Sequence, residues 1–157
     1  MTRTVAHDTF VIERRYTASP ARVFAAFADA SEKVRWFGDP DIETAAAHQI
    51  DFRIGGRESL RGNAPGGGPT FTYDAVYQDI VDNERIVYSY EMTMDGRRIS
   101  VSVATLEFIK SDDGTEFILT EQGAFLDGLD TNAQREHGTN ELMNALGRYL
   151  DGKAGSA

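Results

Sequence analysis

The spacing of apolar residues changes period twice along the chain. Phe10, Ile12 and Tyr16 alternate with polar neighbours, interrupted once by Arg14, and predict a first strand over Phe10 to Thr17. The period then lengthens. Ser19-Pro20 supplies an N-cap and a proline at the first helical position, and Val23, Phe24 and Phe27 follow as one helical face. Ser31 caps a second short helix carrying Val34, Trp36 and Phe37, with Gly38 as its C′ residue. Neither helix is long enough to bury itself, so both must fold back on other elements.

From Asp41 the period returns to two. Ile42 to Ala47 is a weak strand; Gln49 to Ile54 is stronger, with Ile50, Phe52 and Ile54 on one face and Asp51 and Arg53 on the other. Arg61 to Pro69 (RGNAPGGGP) reads as a flexible loop. Phe71 to Val81, Arg85 to Met94, Arg98 to Lys110 and Glu116 to Ala124 read as strands. The Asp95-Gly96 pair between two of them is a strong hairpin signal.

The last element is a helix. Asp130 or Thr131 is a suitable N-cap, and no proline interrupts the run to Asp151. Leu142, Met143, Leu146, Tyr149 and Leu150 form an apolar stripe that Arg135, Glu136 and Thr139 continue in polar form. Such a helix spans roughly 30 Å, the width of a small domain. The order strand, two short helices, about six strands and long helix is an α+β architecture. It predicts a curved antiparallel sheet around the terminal helix, with a ligand space between. One domain over residues 1–157 is expected, its core running from about 8 to 151 and the tail 152–157 disordered.

Charge and composition narrow the partners. With 25 acidic against 16 basic residues the formal charge is −9, which excludes nucleic acid and anionic membranes as natural partners. Thirteen of the basic residues are arginine, the forked, bidentate cation. The absence of cysteine removes disulfides, thiolate catalysis and cysteine-based zinc sites. No stretch reaches the ~18 apolar residues of a membrane span, and MTRTVAHDTF is not a signal peptide, so a cytoplasmic home is expected. His7, His48 and His137 lie far apart in the sequence and read as surface or structural residues. No nucleophile elbow or phosphate loop is present, and neither metal nor cofactor is implied.

The candidate site residues are Trp36, Arg53, Arg57, Tyr73, Tyr88, Tyr90, Glu121, Glu136, Thr139 and Met143. Glu121 interrupts the apolar face of Phe117 and Leu119, so its carboxylate points inward and needs a partner, an arginine of the sheet or Arg135 of the helix. Tyr88, Tyr90 and Met92 share one strand face, and Arg57 follows Gly55-Gly56, where a bulge or bend is expected. The same set reads as a structural ion pair between sheet and helix or as the polar anchor of an apolar pocket. Trp36 reads as a lid residue or as core.

The segments FVIERRYTASPARVFAAFADASEKVRWFG, DFRIGGRE, DNERIVYSYEM and GTEFILTEQGAFLDG resemble the activator-of-Hsp90-ATPase-like proteins, within the START, Bet v 1-like and polyketide cyclase superfamily. The resemblance covers about Phe10 to Leu150 and implies a helix-grip fold with an internal cavity. The leading expectation is a domain that binds a small, largely apolar molecule, lipid-like or aromatic. The alternatives are a cyclase- or hydrolase-type enzyme using Glu121 with Arg53 or Tyr88, and a co-chaperone or other protein-interaction module, which would expose an apolar patch. The edge strands of the sheet also admit a homodimer.

Overall fold

Alternation of buried and exposed residues builds seven strands, each pair antiparallel. The computed structural model describes residues 2–38, 48–63 and 68–155, with side chains as far as 152. Strand β1 (Val5–Tyr16) precedes helices α1 (Pro20–Ala28) and α2 (Ala30–Lys33). Then come β2 (Gln49–Ile50), β3 (Arg57–Asn63), β4 (Thr70–Val81), β5 (Arg85–Met94), β6 (Arg97–Ser111) and β7 (Gly114–Leu126), and helix α3 (Asn132–Gly155). The sheet order is β1-β7-β6-β5-β4-β3-β2, so the first strand crosses to pair with the last. This is the helix-grip fold: a curved open sheet whose inner face packs against α3 through Met143, Leu146 and Leu150. No described helix is long and apolar enough to cross a membrane.

The inner face is graded. Toward one end, Phe24, Phe27, Phe108 and Phe117 interlock edge to face and stacked, with ring centroids 5.4–5.8 Å apart. Toward the other, β6 presents Ser100, Ser102 and Ala104, all small and buried. That stripe leaves space above β6, and larger polar side chains from β5, β7 and α3 meet over it.

Several boundaries depart from the sequence reading. The cap of α2 is Asp29, whose carboxylate accepts from the Ser31 amide and hydroxyl; Trp36 and Phe37 follow the helix in turns. The expected strand Gln49 to Ile54 stops at Ile50, because Asp51 to Gly56 fold into a tight turn and leave Ile54 exposed. Gly55 has φ +83, and a Cβ on Gly56 would stand 2.1 Å from the Asp51 carbonyl, so this turn depends on both glycines. Arg61, Gly62 and Asn63 are not loop but the end of β3, paired with Thr72, Phe71 and Thr70. Ile42 to Ala47 lies outside the described residues. Thr131 caps α3, its hydroxyl accepting from the Gln134 amide at 3.1 Å. The helix continues to Gly155, so the first four residues of the expected tail are helical.

A buried ion cluster ties the short helices to the sheet. The Glu58 carboxylate is 1% exposed and takes the Lys33 ammonium at 2.6 Å, His48 Nε2 at 2.9 Å and the Tyr77 hydroxyl. Lys33 Nζ also lies 4.5 Å from the centre of the Phe37 ring. Burial pushes the Glu58 pKa up, but the Lys33 charge and the bonds from His48, Lys33 and Tyr77 prevail and hold it down at about 2.

Because the folded pKa is depressed, this carboxylate stabilises the fold above its unfolded pKa, and that contribution fades as pH falls toward 2. Glu58→Gln should cost about 3 kcal/mol at neutral pH, since it leaves a buried ammonium without its counter-charge. Urea unfolding at pH 7 and pH 3 checks this: the difference from wild type should shrink at pH 3. A difference independent of pH would refute the assignment.

Candidate functional site

A cavity of about 270 Å³ lies between the sheet and α3. Its walls are mostly apolar: Phe27 from α1, Phe37 beyond α2, Leu60 from β3, Met92 from β5, Leu119 from β7, and Leu142 and Met143 from α3. Gln134 and Gly138 of α3 line it and are exposed, marking the mouth. Tyr73, Tyr88 and Tyr90 cluster within it, with the Tyr73–Tyr90 and Tyr88–Tyr90 centroids 4.9 and 5.9 Å apart.

The polar end is a chain of hydrogen bonds. Strand register sets Tyr90 opposite Ser102 and Glu121 opposite Ala104, so Tyr90 can reach across β6 to Glu121. Its hydroxyl donates to Glu121 Oε2 at 2.7 Å and accepts from Arg135 Nη1 at 2.8 Å. Arg135 Nη2 donates to Ser100 Oγ and to Asp130 Oδ2, each at 2.7 Å. Thr139 Oγ1 donates to the Arg135 carbonyl at 2.9 Å. Arg135 approaches Glu121 itself no closer than 3.9 Å.

Burial pushes the Glu121 carboxyl up to about 7, over the opposing effects of the Tyr90 hydrogen bond and the Arg135 charge; Asp130 adds to the rise. Burial likewise drives the Tyr73, Tyr88 and Tyr90 hydroxyls upward, so all three stay protonated. The Tyr73 hydroxyl is buried and has no hydrogen-bond partner among the described residues. The cavity thus offers hydroxyl groups and a carboxyl that is half-ionised near neutrality.

Of the candidate residues, Tyr73, Tyr88, Tyr90, Glu121, Thr139 and Met143 line this cavity, and four do not. Trp36 is core rather than lid: its ring packs on Phe27 at 4.9 Å, and its indole Nε1 donates to the Ala26 carbonyl. Arg53 sits on the Asp51–Gly56 turn, two-thirds exposed and paired with Asp51. Arg57 is exposed because alternation turns its neighbour Glu58 inward. Glu136 lies about 100° round the helix from Arg135, half-buried and away from the cavity.

The arginine nearest Glu121 is Arg135, from the helix rather than the sheet, and it reaches the carboxylate through the Tyr90 hydroxyl. Asp130, expected only as a possible cap, anchors that arginine. The Lys33–Glu58–His48–Tyr77 cluster behind the cavity was not legible, because the Arg61 loop reading hid β3. Its one signal was the Glu58, Leu60 alternation after the glycine pair.

The family model described as "Activator of Hsp90 ATPase homolog 1-like protein" matches residues 17–151. Among solved structures, a protein from Rhizobium leguminosarum is 39% identical over 96% of this chain and 99% of its own, with a TM-score of 0.91. The Mll3558 protein of Rhizobium loti is 47% identical over 93% of this chain and 99% of its own, with a TM-score of 0.85. The AHSA1-like protein of Aeromonas hydrophila shares the fold at 19% identity, covering 94% of each chain, with a TM-score of 0.69. No curated protein matches the chain. With its helix-grip fold and a family match that runs from the turn after β1 into helix α3, this chain belongs to the activator of Hsp90 ATPase homolog 1-like family.

Proposed function

We infer that the protein binds a small, largely apolar molecule in the cavity between sheet and α3. The observation that carries this reading is the cavity itself: about 270 Å³ of space, walled by aromatic and aliphatic side chains and closed at one end by Tyr90, Glu121 and Arg135. That volume falls just below the usual range of drug-sized sites, roughly 300–1,000 Å³, so the ligand is small. Apolar walls supply affinity by burial, and the few polar groups fix orientation.

A second reading, acid/base catalysis of cyclase or hydrolase type, draws on the near-neutral Glu121 carboxyl, which suits proton transfer. Arg53 lies outside the cavity, so that reading rests on Glu121 with Tyr73 or Tyr88 alone.

The site carries a cost to the fold. Glu121 has its pKa raised on folding, so stability falls as pH climbs from the unfolded value near 4.5 to about 7. Above that range the penalty is complete, on the order of 3 kcal/mol. Glu121→Gln should therefore stabilise the protein at pH 8 by up to about 2 kcal/mol and have little effect at pH 4. Urea titrations at the two pH values measure this, and destabilisation at pH 8 would contradict it.

Native mass spectrometry of the purified protein tests the binding reading. The expected result is a non-covalent adduct that is lost on denaturation and absent from Leu142→Trp, whose indole would occupy the cavity. An adduct retained in full by that variant would place binding elsewhere. A ligand released chemically altered after incubation would favour catalysis.

A further inference from the structure

Two glutamates are buried on the inner side of this sheet, and they are matched differently. Glu58 has an ammonium 2.6 Å from its carboxylate, and that ammonium lies within 4.5–5.9 Å of the centres of Phe37, Tyr88 and Phe27. Carboxylate and ring faces together satisfy a buried cation there. Glu121 has no such partner. Its one cation within ion-pair distance among the described residues, Arg135, stands 3.9 Å away and directs its Nη groups at Tyr90, Ser100 and Asp130.

The groups facing Glu121 come from three places. Strand β5 contributes the Tyr90 and Tyr88 hydroxyls, α3 contributes Arg135, and the segment before α3 contributes Asp130. Asp130 and Arg135 are paired at 2.7 Å and cancel. With Glu121 ionised, the polar end of the cavity is therefore one positive charge short. The carboxyl also lines the cavity, beside the rings of Tyr73, Tyr88 and Tyr90. An anionic head group would meet Glu121 and Asp130 with no uncommitted cation among the described residues to receive it.

We propose that the ligand of this cavity is an amine: a protonated amino group on a one- or two-ring apolar body, its ammonium taken by Glu121 and the tyrosine cluster and its body by Phe37, Leu60, Leu142 and Met143. This rests on the binding reading above and assigns the chemical class of the ligand. The ammonium supplies the charge missing at Glu121, as Lys33 supplies it at Glu58. Binding favours the ionised carboxyl, so a proton leaves Glu121 as the amine enters.

Three probes of one body separate the possibilities: 2-naphthylmethylamine, 2-naphthylmethanol and 2-naphthoate, titrated by calorimetry at pH 7 in two buffers of different ionisation enthalpy. The amine should bind at least about tenfold more tightly than the alcohol, with naphthoate weakest. Its binding should release up to about half a proton, since Glu121 is half-protonated there. Glu121→Gln should abolish the amine's advantage over the alcohol and the proton release, and a urea midpoint at pH 8 no lower than the wild type's shows that the variant is folded. An alcohol or naphthoate that binds as well as the amine overturns the amine assignment and leaves the pocket reading standing. Failure of all three to bind overturns both.

Discussion

A carboxylate removed from water must be given a cation and hydrogen bonds, or it gives up its charge. Both outcomes occur in this molecule. Glu58 is supplied with Lys33, His48 and Tyr77 and stays ionised far below its usual range. Glu121 receives one hydroxyl and a distant guanidinium, and its carboxyl rises to about 7. The first pins the short helices against β3 and holds Phe37 in place as a cavity wall. The second keeps the far end of that cavity polar without filling it.

The polar cluster at the end of the cavity follows from side-chain size on one strand. Ser100, Ser102 and Ala104 stand where β6 would otherwise carry larger apolar residues, as it does at Leu106 and Phe108. Where β6 is large, the aromatic core closes against α1; where it is small, Tyr90, Glu121 and Arg135 converge across it. The long helix is divided in the same sense, with Leu146 and Leu150 over the packed end and Arg135 and Thr139 over the open one. A gradient of side-chain volume along two elements thus separates a polar end of this domain from a packed apolar one.

The elements that repeat a clear period were legible in the sequence: β4 to β7, α1 and α3, and with them the helix-grip architecture. So was the inward carboxylate at Glu121, since strand alternation carries it to the same side as Phe117 and Leu119. Arg53 and Arg57 misled because the chain already turns at Asp51, and a bend expected at Gly55-Gly56 does not say which way the side chains on either side of it point. Trp36 misled in another way, because periodicity places a ring on a helix but cannot say which neighbour it meets. Nothing local to Lys33, His48, Glu58 and Tyr77 announces that they converge. They are drawn together by strand pairing and by the packing of α2, both long-range features.

Glu121 is buried, incompletely matched and a wall of the cavity, and the binding chemistry depends on that state. Carbon-detected NMR of the side-chain carboxyl, followed against pH in the unliganded protein, measures that state directly. A midpoint near 7 is the result predicted here. A midpoint at or below the ordinary value of 4.5 would mean that the carboxylate is solvated or fully paired, and would contradict the account.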